Sequence, residues 1–265
     1  MENLDNYACR IMTIQYASDL HLEFAENSKF LESNPIVPVA DILVLAGDIG
    51  YLGHDTYASH PFWDRVSENF SRVLVIPGNH EFYGGYDLSN LKTGMEESIR
   101  ENVSWYYNKC ITIDDVEFIL SPLWAKINPM AEYIIQSRVS DFKLIKYNKQ
   151  LLTPGVFNRL HEESVSFLKS SFENSAALKR IVVTHHLPSE LCMAAEFKGS
   201  ILNGAFVSNL DDLVLESGAS YWIYGHSHRN TGERTIGNTK LVCNQLGYVS
   251  MRENRSFQNY MQIIL

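Results

Sequence analysis

Apolar residues in this chain fall into short runs, and each run ends in glycine or polar residues. The clearest run lies in residues 41–50, where five consecutive apolar residues precede Gly47 and Asp48. Such a run is typical of a strand buried on both faces, as in a parallel sheet. Glycine turns the chain at the carboxyl end of the strand, where open α/β sheets carry their functional side chains. Asp48 is therefore a candidate functional residue, although an aspartate here could equally be a simple turn residue.

The same pattern recurs at four other places. Residues 11–18, 72–77, 180–184 and 221–224 each predict a strand. Each of these runs leads into side chains that bind metal ions through oxygen or imidazole nitrogen. The residues concerned are Asp19 and His21, Asn79 and His80, His185, and His226 and His228. One such residue at a strand end would be weak evidence, but repetition at successive strand ends indicates a shared metal site.

The rest of the pattern predicts elements that alternate with these strands. They are helices at 57–70, 156–174 and 209–217, a weakly patterned helix at 87–101, hairpins at 110–120 and 231–244, and a last strand at 260–264. This alternation indicates a single α/β domain over residues 1–265, with residues 1–11 as a candidate extension outside the core. Residues 121–150 are either a cap over a cleft or a cover for a sheet edge.

Composition narrows the class of protein. The 265 residues include 22 Lys and Arg against 31 Asp and Glu, which gives a net charge of −9. That charge argues against broad nucleic-acid binding, which depends on neutralising phosphates, but it leaves room for a small phosphorylated substrate. No segment is apolar over the length of a membrane span, and the N-terminus does not resemble a signal peptide. The four cysteines are scattered, so we expect free thiols and a cytoplasmic protein.

The polar blocks also resemble a known family. In order they read D-x-H at residues 19–21, G-D at 47–48, G-N-H-E at 78–81, a strand-terminal His185, and G-H-x-H at 225–228. Over residues 16–248 this order resembles the calcineurin-like metallophosphoesterases. The sequences GNHEFYGG at 78–85 and THHLP at 184–188 are similar to those of a small single-domain branch. The resemblance implies an α/β fold: a four-layer αββα sandwich with two central mixed β-sheets.

The resemblance further implies two metal ions that share Asp48. One ion would be held by Asp19, His21, Asp48 and His228, and the other by Asp48, Asn79, His185 and His226. Oxygen and imidazole ligands without thiolate suit divalent or mixed-valence transition-metal ions. Mn²⁺ is the first choice in vitro, and Fe, Zn, Co or Ni ions are alternatives.

The resemblance also implies hydrolysis of a phosphate ester. Two neighbouring cations would lower the pKa of a bridging water, and the resulting hydroxide would attack phosphorus. Asp48 would act by bridging the two cations. His80 is not needed as a ligand, so we assign it to the leaving group, as a general acid or a charge stabiliser.

The substrate class stays open at this level. The absence of an arginine cluster slightly favours a phosphodiester, such as a cyclic or linear nucleotide. A phosphomonoester, a phosphoprotein and a nucleotide pyrophosphate are alternatives. A hypothesis of another class is a metal-stabilised binding scaffold without catalysis. Candidate substrate contacts, each of which could instead belong to the core or the surface, are Tyr83, Trp124, Lys126, His186 and Asn244, with Arg138 and Arg229 as further cations.

Overall fold

A computed structural model of the protein describes residues 12–174, 177 and 179–265. The predicted extension at residues 1–11 lies outside these ranges. The strands are β1 (Thr13–Ala17), β2 (Ile42–Ala46), β3 (Arg72–Ile76), β4 (Met95–Arg100), β5 (Val103–Tyr107), β6 (Lys109–Ile113), β7 (Val116–Leu120), β8 (Lys146–Tyr147), β9 (Gln150–Leu151), β10 (Lys179–Val183), β11 (Tyr221–Ile223), β12 (Arg234–Ile236), β13 (Thr239–Val242) and β14 (Gln262–Ile264). The α-helices are α1 (Ala25–Ser33), α2 (Asp55–Ala58), α3 (Pro61–Asn69), α4 (Glu132–Arg138), α5 (Asp141–Leu144), α6 (Pro154–Asn174) and α7 (Asp211–Glu216).

Two six-stranded sheets form the centre of the protein. Their strand orders are β14-β1-β2-β3-β5-β4 and β12-β13-β11-β10-β7-β6. The four inner strands of each sheet are parallel, and each edge strand is antiparallel to its neighbour. Both sheets are therefore mixed, as predicted.

Apolar side chains alternate between the two faces of each sheet, because successive residues of a strand point to opposite sides. In β2, Val44 and Ala46 pack between the sheets, whereas Leu43 and Leu45 pack on the outer face. Outside the first sheet lie α1 and α3, and outside the second lie α7 and part of α6. The four-layer αββα arrangement is thus confirmed. Within the described ranges, no helix is both long and apolar enough to cross a bilayer.

Two local predictions were wrong. Residues 87–101 form a short 3₁₀ turn and β4 rather than a helix, since β4 pairs along the buried strand β5. β4 is a polar edge strand, so its sequence lacks the apolar alternation of a core strand. The predicted helix at 57–70 is split into α2 and α3 at Pro61, which occupies the first helical position, where its missing N–H is not needed.

The carboxyl ends of the parallel strands of both sheets meet at one edge. The Asp19 N–H donates to Gly47 O at 2.9 Å within the first sheet, and the Gly225 N–H donates to His185 O at 3.0 Å within the second. The residues after these strands adopt left-handed backbone conformations that are uncommon outside glycine. They are Asp19, His21, Asp48, His226 and His228, with φ between 49° and 76°. Such clustering is typical of functional sites, where strain is tolerated to aim side chains.

Candidate metal centre

Seven side chains predicted from the strand ends converge at this edge: Asp19, His21, Asp48, Asn79, His185, His226 and His228. Ligand atoms of Asp19, His21, Asp48 and His228 lie within 4.8 Å of one another, and so do those of Asp48, His185 and His226. Asp48 belongs to both groups. The two sheets both contribute, because the aspartates and His21 follow strands of the first sheet and the other histidines follow strands of the second.

The two oxygens of Asp48 face different groups. Its Oδ1 lies 3.3 Å from His185 Nε2, and its Oδ2 lies 3.9 Å from His21 Nε2. On the Oδ2 side, His228 Nε2 is 2.9 Å from His21 Nε2 and 3.4 Å from Asp19 Oδ1. A carboxylate that divides its oxygens in this way is suited to bridging two cations.

The second nitrogen of several of these imidazoles has a protein partner. His185 Nδ1 lies 2.9 Å from Ala46 O, His228 Nδ1 lies 2.7 Å from Glu253 Oε2, and His226 Nε2 lies 3.3 Å from Ala205 O. Such partners fix the tautomer and the ring orientation of metal-binding histidines. One nitrogen of each ring is thereby left to a cation.

Asn79 is oriented by a residue far along the chain. Its Nδ2 donates to Asp141 Oδ1 at 2.9 Å and to Tyr83 Oη at 3.1 Å, so its Oδ1 faces His185 Nε2 at 3.1 Å. Tyr83 Oη also donates to Asp141 Oδ1, at 2.5 Å. Burial raises the pKa of the Asp141 carboxyl. Asn79 is thus held with its carbonyl oxygen, which can bind a metal, toward the second group.

The electrostatics of the centre suit cations. Burial opposes protonation of His228 and His185, but carboxylates around them outweigh it and raise their pKa to about 10 and about 9. Burial and the neighbouring His185 lower the pKa of His226 to about 3. Although burial alone would raise the pKa of Asp48, the surrounding histidines hold it well below its usual range. Positive charge is therefore favoured between the two aspartates.

Glycines leave space around these ligands. A Cβ on Gly78 would lie 2.2 Å from Asp48 Oδ1 and 2.6 Å from His185 Nε2, and one on Gly225 would lie 2.7 Å from Asp19 Oδ2. A Cβ on Gly47 would lie 2.4 Å from His185 Nδ1. The oxygen and imidazole donors fit a bound metal ion, and the close approaches show that they could not converge around larger residues.

Gly78→Ala should therefore disrupt the second group. The methyl group would displace Asp48 Oδ1 and His185, so we expect metal content and phosphoesterase activity to fall by about 10-fold or more, as when a ligand's support is lost. Elemental analysis of the purified variant would measure the metal. Gly155→Ala is the matched control, since nothing lies within 4 Å of its Cβ and the new residue should favour helix α6. Unchanged metal content in Gly78→Ala would contradict this view of the site.

Glu81 braces the loops beneath Asp48. Its carboxylate accepts the backbone N–H groups of Asp48 at 2.9 Å, Ile49 at 2.7 Å and Gly78 at 2.6 Å. Burial and the charge of Asp48 raise the pKa of Glu81 to about 8. This single side chain therefore joins the turn after β2 to the turn after β3.

A groove of about 480 Å³ opens over the centre. Residues of several segments line it, including Asp48, Asn79, His80, Tyr83, Arg138, Val139, Leu144, Phe197, Leu202, Phe206, His226, His228, Arg229 and Tyr248. His80 lies beside Asp48, whose Oδ1 accepts the His80 backbone N–H at 2.8 Å. The imidazole Nδ1 lies 2.9 Å from Glu23 Oε1, and Nε2 lies 3.1 Å from Tyr248 Oη. Burial opposes protonation of His80, but Asp48 and Glu23 raise its pKa.

The candidate substrate contacts have different surroundings. Tyr83 lines the groove. Among the described residues, the groove lining does not include Trp124, Lys126, His186 or Asn244. Trp124 is fully buried beside Phe157, and His186 is buried with its ring 4.2 Å from that of His226. Lys126 is exposed and paired with Glu162, and Asn244 Nδ2 donates to Tyr16 O and Gln258 O.

Two arginines that were predicted as possible substrate contacts reach the groove. Arg138 and Arg229 both line it. Arg229 Nε lies 2.6 Å from Glu196 Oε1, and its Nη1 lies 3.1 Å from Glu253 Oε1. Arg138 comes from the segment 121–150, so part of that segment forms one side of the groove.

Sequence reasoning missed four carboxylates of the site. Glu23 continues the alternation of Asp19 and His21, and Glu81 closes the G-N-H-E block, so both had a signal in the sequence. Asp141 and Glu253 had none, because each reaches the site through contacts between distant parts of the chain, 62 residues apart for Asn79 and Asp141.

Comparisons with known proteins identify the family of this chain. A family model of the calcineurin-like phosphoesterases matches residues 12–230. The chain is 27% identical over 282 residues to "Uncharacterized protein L509" of Acanthamoeba polyphaga mimivirus, in a match that covers 94% of this chain and 96% of the relative. The structure of Phosphopantetheinyl Hydrolase (PptH) from Mycobacterium tuberculosis is similar with a TM-score of 0.67, at 17% identity and over 95% of both chains. That of TT1561 of Thermus thermophilus has a TM-score of 0.50, at 13% identity and over 89% of both chains.

The likeness to the solved structures shows the fold, and the family model spans most of the chain. The chain belongs to the calcineurin-like phosphoesterase family, and it is a metal-dependent phosphoester hydrolase.

Proposed function

We propose that this protein hydrolyses a small phosphodiester with two transition-metal ions shared by Asp48. The observation that carries this proposal is the position of Asp48, whose two oxygens face two different groups of ligands. Asp19, His21 and His228 would hold one ion with Asp48, and Asn79, His185 and His226 would hold the other. When bound, such a pair lowers the pKa of a shared water and polarises the phosphoryl oxygens. Mn²⁺ is the ion we would supply first.

His80 is proposed to act on the leaving group. It lines the groove beside Asp48 and Asn79, and its imidazole Nδ1 contacts Glu23 rather than either proposed ligand set. Its Nε2 is available to donate a proton to the departing oxygen as the P–O bond breaks. The hydroxyl of Tyr248, 3.1 Å from this nitrogen, marks a position where a substrate oxygen could be hydrogen bonded.

The charges of the groove support a diester over a monoester. Arg229 is already engaged by Glu196 and Glu253, and Asp141 and Glu253 add negative charge to the groove lining. Among the described residues that line the groove, Arg138 is the cation for which no carboxylate partner is found. The second negative charge of a monoester would therefore meet few compensating groups.

The groove also supports an organic substrate larger than phosphate itself. Its volume of about 480 Å³ lies within the range of small-molecule sites. Val139, Leu144, Phe197 and Leu202 supply apolar surface beside the proposed ion sites. Residues 138–144 are proposed to act as one wall of a cap.

The cytoplasm is the compartment we expect for this protein. The free thiols of Cys110, Cys192 and Cys243 support it.

Metal exchange with a panel of esters tests this function. The purified protein would be stripped with a chelator, reloaded with Mn²⁺, and assayed on bis(4-nitrophenyl) phosphate, 4-nitrophenyl phosphate, cyclic nucleotides and a phosphopantetheinyl conjugate. We expect activity to return with the metal. We expect kcat/KM for the diester to exceed that for the monoester about tenfold, equivalent to about 1.4 kcal/mol of added repulsion.

Each contrary result has a distinct meaning. Faster turnover of the monoester would overturn the diester preference. Binding of two metal ions without turnover of any ester would favour a binding scaffold over an enzyme active on these substrates.

A further inference from the structure

We propose that Glu23 is a positioning residue that couples His21 to His80 through one carboxylate oxygen. The inference rests on the proposed function, in which His21 binds a cation and His80 assists the leaving group. Glu23 Oε1 lies 3.1 Å from His21 Nδ1 and 2.9 Å from His80 Nδ1. The centroids of the two imidazole rings are 4.4 Å apart, so both rings pack around the same carboxylate.

The local backbone explains how Glu23 reaches this position. Asp19 and His21 both have left-handed backbone conformations after β1, and the His21 N–H donates to Asp48 O at 3.0 Å. Leu22 then continues along the turn after β2, where its N–H donates to Ile49 O at 2.8 Å. This path directs the Glu23 side chain back over the site, where it is only 7% exposed. Water therefore competes little for the carboxylate.

The carboxylate defines the hydrogen positions of both rings. An ionised carboxylate only accepts hydrogen bonds, so each ring donates an Nδ1–H to Oε1. His21 then presents Nε2, without a hydrogen, to Asp48 and His228. His80 presents Nε2 to the groove, where a hydrogen on that atom can pass to the leaving oxygen as the P–O bond breaks. Glu23 keeps its hydrogen bond to Nδ1–H throughout and stays ionised.

Sharing one oxygen makes the arrangement sensitive. Glu23 Oε2 is buried and has no hydrogen-bond partner among the described residues, so Oε1 alone serves both rings. A change at Glu23 should consequently alter cation binding through His21 and leaving-group assistance through His80 together. A carboxylate that supports a metal ligand without contacting His80 should alter the first and not the second.

Glu253 provides that comparison within the same chain. Its Oε2 lies 2.7 Å from His228 Nδ1, which is the same relation to a proposed ligand that Glu23 has to His21. No contact between Glu253 and His80 is found in the described part of the chain. Glu253 also accepts the Tyr248 N–H at 2.9 Å, so both carboxylates are structurally engaged.

The test compares Glu23→Gln with Glu253→Gln on esters of two leaving groups. Both variants would be assayed at saturating Mn²⁺ on phosphodiesters that release 4-nitrophenol, a good leaving group, or phenol, a poorer one. We expect Glu253→Gln to lose the same factor on both esters. We expect Glu23→Gln to lose about tenfold more kcat on the phenyl ester than on the nitrophenyl ester, because general-acid assistance matters more there. Both variants should bind Mn²⁺ about 10–100-fold more weakly, the usual effect of losing such a partner.

Other outcomes would overturn the inference. An equal loss on both esters in Glu23→Gln would mean that Glu23 does not act through His80. A third cation in the wild-type protein, lost in Glu23→Gln alone, would make Glu23 a metal ligand. If Glu23→Gln does not fold, Glu23→Asp carries the test, since its shorter side chain cannot reach both rings and should give the same pattern. If the wild-type protein hydrolyses no ester, the proposed function fails, and the metal affinities of the variants still test the link to His21.

Discussion

Asp48→Asn should give a protein that binds at most one metal ion and has almost no phosphoesterase activity. An amide offers a single oxygen, so one of the two ligand groups must lose its share of this side chain. If the amide nitrogen replaces Oδ1, it also opposes the His80 backbone N–H, which now donates at 2.8 Å. Because a catalytic cation contributes several kcal/mol, we expect activity about 10³-fold or more below wild type. Elemental analysis and kcat at saturating Mn²⁺ would measure both effects.

The contrast with His80 makes this prediction specific. Both residues lie in the groove and both variants should be poorly active, but only the Asp48 variant should lose metal. Two ions per chain in Asp48→Asn would contradict the shared position of this carboxylate.

His80→Asn should retain its metal ions and lose about 10²–10⁴-fold in kcat, the usual contribution of a general acid. The backbone N–H that Asp48 accepts is unchanged by this substitution, so the bridge between the two ligand groups should persist. The loss should be larger for esters with poorer leaving groups. Steady-state kinetics with a series of aryl phosphodiesters would measure it.

His54→Asn is a suitable control. His54 is exposed and its side chain is hydrogen bonded only to Thr56 within the part of the chain that the structure describes, so its replacement should leave kcat unchanged. A loss of metal in His80→Asn comparable to that in Asp48→Asn would indicate that His80 is itself a ligand.

Strands and their functional residues could be predicted where an apolar run and a metal-binding residue lie next to each other in the sequence. β2, β3 and β10 each contain at least three consecutive apolar residues, and a metal-binding side chain follows shortly after, so both the strand and its functional residue could be predicted. β5 contains Ser104 among aromatic residues, and β4 has the polar composition of an edge strand, so neither showed a clear period.

The supporting carboxylates show the limit of such reasoning. Which carboxylate meets which histidine depends on the packing of the two sheets and on loops far apart in the chain. Asp141 meets Asn79 through α5, and Glu253 meets His228 through a turn near the C-terminus. Neither contact leaves a periodic or local mark in the sequence.

Because the two sheets meet at one edge, metal binding there also bears on the stability of the fold. Each proposed cation is bound by residues that follow strands of both sheets, so it would cross-link the two sheets. Binding of the ions to the folded state would then increase the free energy of unfolding. Removing the ions would therefore destabilise the contact between the two sheets at the site of hydrolysis. Activity and stability would then decrease together.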